Sequence, residues 1–403
     1  MKKILFLTSG YCGKSTANGL CTKVLAEEMI KNGTEVFVIS AETDTDTEQP
    51  SDHIIPIIYT PKKPNVPKNY IARKFLALIK VFSALFAPEH KKELVSRIVA
   101  EAKNICFENS IDAVVSMYFP LVSLSAGYKL KKLFPTVKYM IYELDSVSDG
   151  IGVQGKWRKY VNYTYRRFLN TLYKKADLIM ILKCHENHWR KEHPKHLLKM
   201  QVVDLPLLYF PEMPVLPKHE SNTVSFLYAG VLDHSYRSPK PLYDTFCKIG
   251  LELVWELNFY SKGCEEFLKN AEQEIPGIKS HGYVDQKTLL DAIAQTDILI
   301  SIGNAVSNSM PSKIITYITY KKPIIHFSLQ ENDICVEYLN KYPLALVIPY
   351  NSEPEDSTIK IVDFINELSL KTVTNEEILN NYRMNIPAYS AEIILDHIDR
   401  HSK

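Results

Sequence analysis

At 403 residues the chain is long enough for two domains, and with 46% apolar and 23% charged residues it has the composition of a folded protein rather than a disordered one. A formal net charge of +2 is too balanced to argue for nucleic acid, and no such partner is expected. Seven dispersed cysteines, at 12, 21, 106, 184, 247, 264 and 335, show no C-x-x-C spacing; the set argues against a disulfide framework and a zinc site and fits a reducing, cytoplasmic compartment.

Met1-Lys2-Lys3 ahead of apolar residues 4–7 imitates a leader peptide, but that apolar run is far shorter than a leader's core, so a first buried strand is predicted. No run of roughly 18 apolar residues free of charge occurs, and no membrane span is expected. A loop with Gly10 and Gly13 leads into a helix whose apolar Ala17, Leu20, Cys21, Val24, Leu25 and Met29 recur at helical spacing. Asn32-Gly33 closes that helix and 35–40 is the next strand. Further strands are predicted at 113–117, 138–142, 178–182 and 201–205. Pro206, Pro211, Pro214 and Pro217, then the polar run 218–222, read as a linker. A second series follows, with strands predicted at 224–228, 253–260, 297–302, 323–327 and 344–348 and helical patterns near 358–369 and 389–400. The fold class is α/β: two Rossmann-like doubly wound domains facing each other across a cleft, with ligands at the carboxyl ends of the strands. Residues 1–207 form the first domain, 208–222 the linker and 223–387 the second, with a terminal helix at about 388–403 packing back on the first.

Three constellations carry candidate chemistry. Gly13-Lys14-Ser15 suggests a nucleotide-phosphate loop, but the glycine required five residues earlier is Thr8, so that motif fails. Gly10 and Gly13 either let a ligand approach closely or mark a plain strand-to-helix turn. The second constellation is a strand ending at Gly230 before Arg237 and Lys240. These suit a diphosphate, as a planar fork and a point charge, or are two surface cations on a solvated loop. The third runs through His281-Gly282-Tyr283-Val284, then Gly303-Asn304, then Ser309-Met310-Pro311-Ser312-Lys313. Pro311 suits a first helical turn, Ser309 or Ser312 suits its cap, and a helix start beside Lys313 is an anion site. Residues 314–319 have strand-like composition, yet a helix is predicted, since a strand there leaves no crossover before Pro323.

In this order the segments resemble GT-B glycosyltransferases, in particular the retaining, family-4-like group that builds capsular and exopolysaccharide. The strongest match is Pro311-Ser312-Lys313 with Tyr317 and Lys322-Pro323-Ile324-Ile325, joined by the Gly230 to Arg237 loop and residues 281–284. The Gly10 loop, Ile141-Tyr142-Glu143-Leu144-Asp145 and residues 174–179 resemble the acceptor domain of the same enzymes. The resemblance implies transfer of a sugar from a nucleoside-diphosphate sugar, a UDP- or GDP-sugar as co-substrate, to a glycan or lipid-linked acceptor, with retention and without metal or other cofactor. It implies that Gly282, Tyr283 and Val284 hold the nucleobase through main-chain groups. Arg237, Lys240 and the 311–313 helix start would steady the leaving diphosphate. Glu143 or Asp145 would orient or deprotonate the acceptor hydroxyl, unless they are turn carboxylates. Gly10, Gly13, Gly230, Asn304, Ser309 and Thr316 complete the expected donor contacts. Thr316 stands where the family carries a ribose-binding glutamate, Asn308 where its partner glutamate falls, and Glu143 where a histidine is usual. These departures leave two alternatives: a degenerate GT-B binding or scaffold subunit, and a nucleotide-sugar epimerase on the same fold, with His281 as its one offered histidine.

Residues 71–86 are rich in large apolar side chains interrupted by Arg73, Lys74 and Lys80, and 156–175 hold seven Lys or Arg and no acid. Both suit an anionic membrane surface, as for a protein peripheral on the inner face of the cell membrane, or an ordinary amphipathic helix.

Overall fold

The computed structural model describes residues 1–12, 16–43, 53–59, 91–118, 121–145, 158–216, 222–249, 253–305 and 312–400. They divide into two compact units, Met1–Leu207 with Met384–Lys403, and Leu208–Arg383.

The first unit is built on β1 (Lys3–Ser9), β2 (Glu35–Glu42), β3 (Ile54–Ile58), β4 (Ala113–Tyr118), β5 (Lys138–Glu143), β6 (Leu178–Leu182) and β7 (Met200–Val203). They form one parallel sheet in the order β3-β2-β1-β4-β5-β6-β7. Its helices are α1 (Ala17–Lys31), α2 (Lys92–Asn109), α3 (Leu121–Leu133), α4 (Arg158–Lys175) and α5 (Glu186–Glu192). A parallel sheet covered by helices buries both faces of its strands, which is why residues 4–7 form an unbroken apolar run and are fully buried. Edge strand β3 carries Pro56, which cannot donate to a ladder on both sides. That proline is why the strand pattern was missed in the sequence.

The second unit repeats the plan. Strands β8 (Val224–Val231), β9 (Trp255–Lys262), β10 (Ile278–Ser280), β11 (Ile298–Ile302), β12 (Ile324–Phe327) and β13 (Ala345–Ile348) form a parallel sheet ordered β10-β9-β8-β11-β12-β13. Its helices are α6 (Lys240–Phe246), α7 (Glu265–Glu274), α8 (Gln286–Gln295), α9 (Lys313–Thr319), α10 (Ile334–Leu339), α11 (Pro354–Glu367) and α12 (Asn375–Asn381). Edge strand β10, three residues long, also escaped the pattern. Residues 313–319 are helical despite their β-branched composition: β11 and β12 pair in parallel, so the chain must cross over between them. Ile314, Ile315, Tyr317 and Ile318 form the buried face.

A last helix, α13 (Pro387–Arg400), belongs to the first unit. Ser390 Oγ meets Tyr142 OH at 3.0 Å, Lys2 Nζ pairs with Asp399 at 2.6 Å, and Asn385 Nδ2 donates to the Leu205 carbonyl. In each sheet the chain builds outward on one side of its first strand, then crosses to the other. The switch points lie between β1 and β4 and between β8 and β11, where diverging connections leave a crevice at the carboxyl ends of the strands.

The β1–α1 connection is the tightest backbone approach. Gly10 has φ +66°, and a Cβ on Gly19 would lie 1.8 Å from the Gly10 carbonyl oxygen. Backbone cannot yield as a flexible side chain does. Gly19→Ala is therefore expected to destabilise the first unit by about 1–3 kcal/mol or more, read as a lowered thermal midpoint, while Gly33→Ala, with open space around it, meets only the smaller strain of a left-handed backbone.

Candidate functional site

The crevice of the second unit gathers two cations. Strand β8 ends at Gly230, and the following loop is held by its own hydrogen bonds. Asp233 and Arg237 exchange backbone bonds, and Asp233 Oδ1 accepts from the amides of Ser235 and Tyr236 at 2.8 and 2.9 Å. Ala305 N then donates to the Tyr236 carbonyl, tying the loop to the end of β11. Arg237 is fixed from the same side: Nε lies 3.0 Å from Asn304 Oδ1, a second guanidinium nitrogen donates to that oxygen, and a third reaches the Val231 carbonyl at 3.4 Å. Asn304 is buried and uses its amide oxygen as the hook. A guanidinium with five N–H donors is not exhausted by these partners.

Lys313, at the start of α9, is the second cation. Lys313 as a residue is exposed, yet its ammonium donates to the Ala229 carbonyl, which also accepts from Tyr317 OH at 3.2 Å. Gly230 makes the room: a Cβ there would lie 3.2 Å from Lys313 Nζ. Burial of the ammonium, and then the neighbouring Arg237 charge, bring Lys313 down to about 8. Among the described residues neither Arg237 nor Lys313 has a carboxylate partner.

Beneath this crevice lies a buried polar strut. His326 Nδ1 meets Ser301 Oγ and Nε2 meets Asp333 Oδ2, both at 3.0 Å, while Asp333 Oδ1 accepts from Cys335 N. Burial pushes the Asp333 carboxyl up, but His326 more than offsets this and holds it below the usual carboxylate range. A Cβ on Gly303 would fall 2.0 Å from Asp333 Oδ2, so the carboxylate braces the backbone that carries Asn304. Ligand atoms of His326, Asp333 and Cys335 lie within 4.8 Å of one another and by distance suit a cation; their hydrogen bonds to one another make them a brace.

The other predicted donor residues are placed as follows. Lys240 does not join the cations: its exposed ammonium is bonded to both oxygens of Asp244 at 2.8 and 2.7 Å on its own helix. The i,i+4 spacing accounts for this. Gly282, with φ +69°, half-buried Val284 and widely exposed Tyr283 follow edge strand β10. His281 is stacked on Tyr260 at 4.4 Å and bonded to Asn258 Oδ1 at 2.8 Å. Ser312 precedes α9 without a side-chain capping bond, so the expected cap is not made by it. Thr316 is half-buried, its carbonyl accepting from Thr319 Oγ1. Ser309, Pro311 and Gly13 lie outside the described residues, as do 71–86 and Asn308.

In the first unit two of the expected site groups meet internal partners. The loop after Gly10 presents backbone amides, but the Tyr11 and Cys12 N–H groups already donate to Glu42 Oε1 at 2.9 and 3.0 Å, joined by Ser40 Oγ. The Glu42 carboxylate is buried and so bonds these two amides from within the protein. Sequence reading missed it because Glu42 ends the neighbouring strand, 32 residues after Gly10. Glu143, expected to meet an acceptor hydroxyl, is also buried and accepts from Tyr173 OH and from Trp189 Nε1 at 3.1 Å. Burial pushes its carboxyl up to about 7 against the opposing effect of those donors. Asp145, two residues on, is half exposed and lies 4.0 Å from Nε2 of buried His185. His185 follows β6 in a short 3-10 turn, far from Asp145 in sequence, and no local pattern announces the pair.

No protein-family model matches the sequence, and no curated protein matches it either. Solved structures do match along the whole chain. A glycosyltransferase from Rickettsia africae ESF-5 superposes with a TM-score of 0.64 at 14% identity, covering 99% of each chain. The catalytic domain of starch synthase IV from Arabidopsis thaliana, bound to ADP and acarbose, gives 0.59 at 9% identity over 99% of each chain. A UDP-GlcNAc 2-epimerase from Methanocaldococcus jannaschii gives 0.57 at 11% identity, covering 99% of this chain and all of that one. At such identity the likeness is one of fold: two Rossmann-like parallel sheets, of seven and six strands, of the GT-B type. Among the described residues no helix is long and apolar enough to cross a membrane.

Glu143 gives a test of the corrected assignment. Its folded pKa is raised, so the fold favours the protonated form. The associated cost is absent below about pH 4, grows as pH rises toward 7, and is constant above. Glu143→Gln does not titrate. Relative to the parent chain the variant should gain stability between pH 5 and 8, by an amount on the order of 3 kcal/mol, in urea melts at the two pH values. Buried His193, held down to about 3 chiefly by burial, pulls the other way in both proteins and cancels in the difference.

Proposed function

We propose that the protein is a glycosyltransferase that moves a sugar from a nucleoside-diphosphate sugar, a UDP- or GDP-sugar, to a glycan or lipid-linked glycan in cell-surface polysaccharide synthesis. The reading places the diphosphate against Arg237 and Lys313. One observation carries it: two cations at one strand end of a switch-point crevice, both held by neutral oxygens and lacking a carboxylate among the described residues. A bound diphosphate supplies the missing charge. When the bond between the sugar's anomeric carbon and the diphosphate oxygen breaks, the electron pair stays on that oxygen, and negative charge grows there. Fixed N–H donors whose geometry is already set stabilise this charge more than the ground state. Lys240 is left out of this set. The loop at Gly282, Tyr283 and Val284 is proposed for the nucleobase, with transfer retaining and independent of metal. In the first unit, Asp145 with His185, rather than Glu143, is assigned to accept the proton of the acceptor hydroxyl. A lipid-linked acceptor would bring the protein to an anionic membrane; the acid-free basic run that includes α4 supports that reading.

The binding-subunit alternative keeps one supporting observation, Thr316 on α9 in place of an acid. The epimerase reading has the shared fold, but His281 is engaged by Tyr260 and Asn258 on the edge-strand side of the sheet. Release of nucleoside diphosphate on adding acceptor separates transfer from both.

UDP and GDP are the ligands to titrate. Arg237→Ala should weaken the better of the two by about thirtyfold, roughly 2 kcal/mol. Diphosphate binding favours charged Lys313, so affinity is full below about pH 8 and declines as the ammonium loses its proton above it. Calorimetry near pH 8.5 in two buffers of different ionisation enthalpy should show proton uptake. Unchanged affinity in the Arg237 variant, or proton release, would remove the assignment.

A further inference from the structure

The first unit holds a second concentration of positive charge outside the crevices of either sheet. Helix α4 and the 3-10 segment Pro194–Lys199 enclose a groove of about 830 Å³. Its helical wall consists of Tyr163, Arg166, Arg167, Asn170, Thr171 and Lys174. Their spacing of three and four residues puts all six on one face. Lys195, His196 and Lys199 form the facing wall.

The electrostatics are one-sided. Arg166 is paired with Glu192, and Lys199 is committed to carbonyls at and just past the end of α4, donating to Lys174 and Ala176 at 2.9 and 2.7 Å. That leaves Arg167, Lys174 and Lys195, all exposed and without an ion pair among the described residues. No acidic residue occurs within α4. Asn170 bonds His193 through its amide oxygen, which leaves its N–H groups as donors. His196 is pulled below its ordinary value by burial and then by Lys199 and Lys195, consistent with a positive local potential. An ordinary solvated helix face interleaves both signs of charge. Apart from Glu192, which Arg166 engages, and Asp177 near Lys199, this one concentrates positive charge around a concavity.

We propose that this groove binds phosphate groups of a ligand that carries two or more of them. Arg167 offers a planar fork to phosphate oxygens, and Lys174 and Lys195 offer point charges. Arg167 and Lys174 are seven residues apart on one helix, roughly 10 Å, a span that one phosphate does not fill. The phosphates belong either to a soluble polyphosphorylated compound or to lipid headgroups. The site goes beyond the donor reading and does not depend on it: it lies on other elements and uses none of the residues assigned to the nucleotide.

The test is calorimetric titration with inorganic tripolyphosphate and co-sedimentation with phosphatidylglycerol vesicles, with phosphatidylcholine vesicles as control. The proteins are the full chain, the triple variant Arg167→Gln/Lys174→Gln/Lys195→Gln, and Arg237→Ala. All three groove positions are exposed, so the thermal midpoint should be kept. Binding by the parent chain should weaken about tenfold or more in the triple variant, equivalent to roughly 1.4 kcal/mol or more, should fall with added salt, and should survive Arg237→Ala. Tripolyphosphate binding identifies a soluble source, and binding to the anionic vesicles alone identifies headgroups. The proposal is overturned if the parent chain binds neither probe, or if the triple variant binds as the parent does. Loss in Arg237→Ala alone would place the polyphosphate in the donor crevice instead.

Discussion

Among the described residues of the second unit, two cations stand at the strand ends without a carboxylate partner. Arg237 hangs from the amide oxygen of Asn304, and Lys313 is drawn under the carbonyl of Ala229. Neutral oxygens orient a cation without cancelling it. The arrangement spends desolvation and mutual repulsion, visible in the lowered Lys313, to hold two cations at the mouth of the sheet. Much of the surrounding structure serves this: Gly230 has no Cβ to block the ammonium, Asp233 knots the loop that carries Arg237, and the buried His326–Asp333 pair braces Gly303 beneath Asn304. An anion entering such a site meets donors already positioned, and little has to be reorganised.

The first unit treats its corresponding crevice differently. In its strand-to-helix loop the Tyr11 and Cys12 amides donate to Glu42. Glu143, at the end of β5, is likewise turned into the core among Tyr173 and Trp189 rather than outward. Two carboxylates at strand ends therefore act as internal fasteners, whereas Asp145, beside His185, is half exposed. Among the described residues, the same supersecondary plan thus carries two cations without a carboxylate at the strand ends of one unit and carboxylates held by internal donors at those of the other.

Much of the architecture was legible because parallel strands buried on both faces appear as short continuous apolar runs, and helices between them as periodic ones. The runs at 4–7, 178–182 and 298–302 are of this kind. β3 and β10 were not, because an edge strand tolerates proline and brevity that a central strand does not. Arg237 and Lys313 could be singled out from residue type and position at a strand or helix end. Lys240 has the same credentials, and what sets it apart is its ion pair with the i,i+4 neighbour Asp244.

By itself the sequence determined the α/β class, the helical state of 313–319 and the chemical types available at each strand end, since these depend on local periodicity and on the need for a crossover between parallel strands. Which of those groups meet was decided by tertiary structure alone. Arg237 and Asn304 are separated by 67 residues, Lys313 and Ala229 by 84, and Glu143 and Trp189 by 46. Contacts of that range follow from strand order and from the few positions where backbone lacks a Cβ, and neither is written in any local pattern.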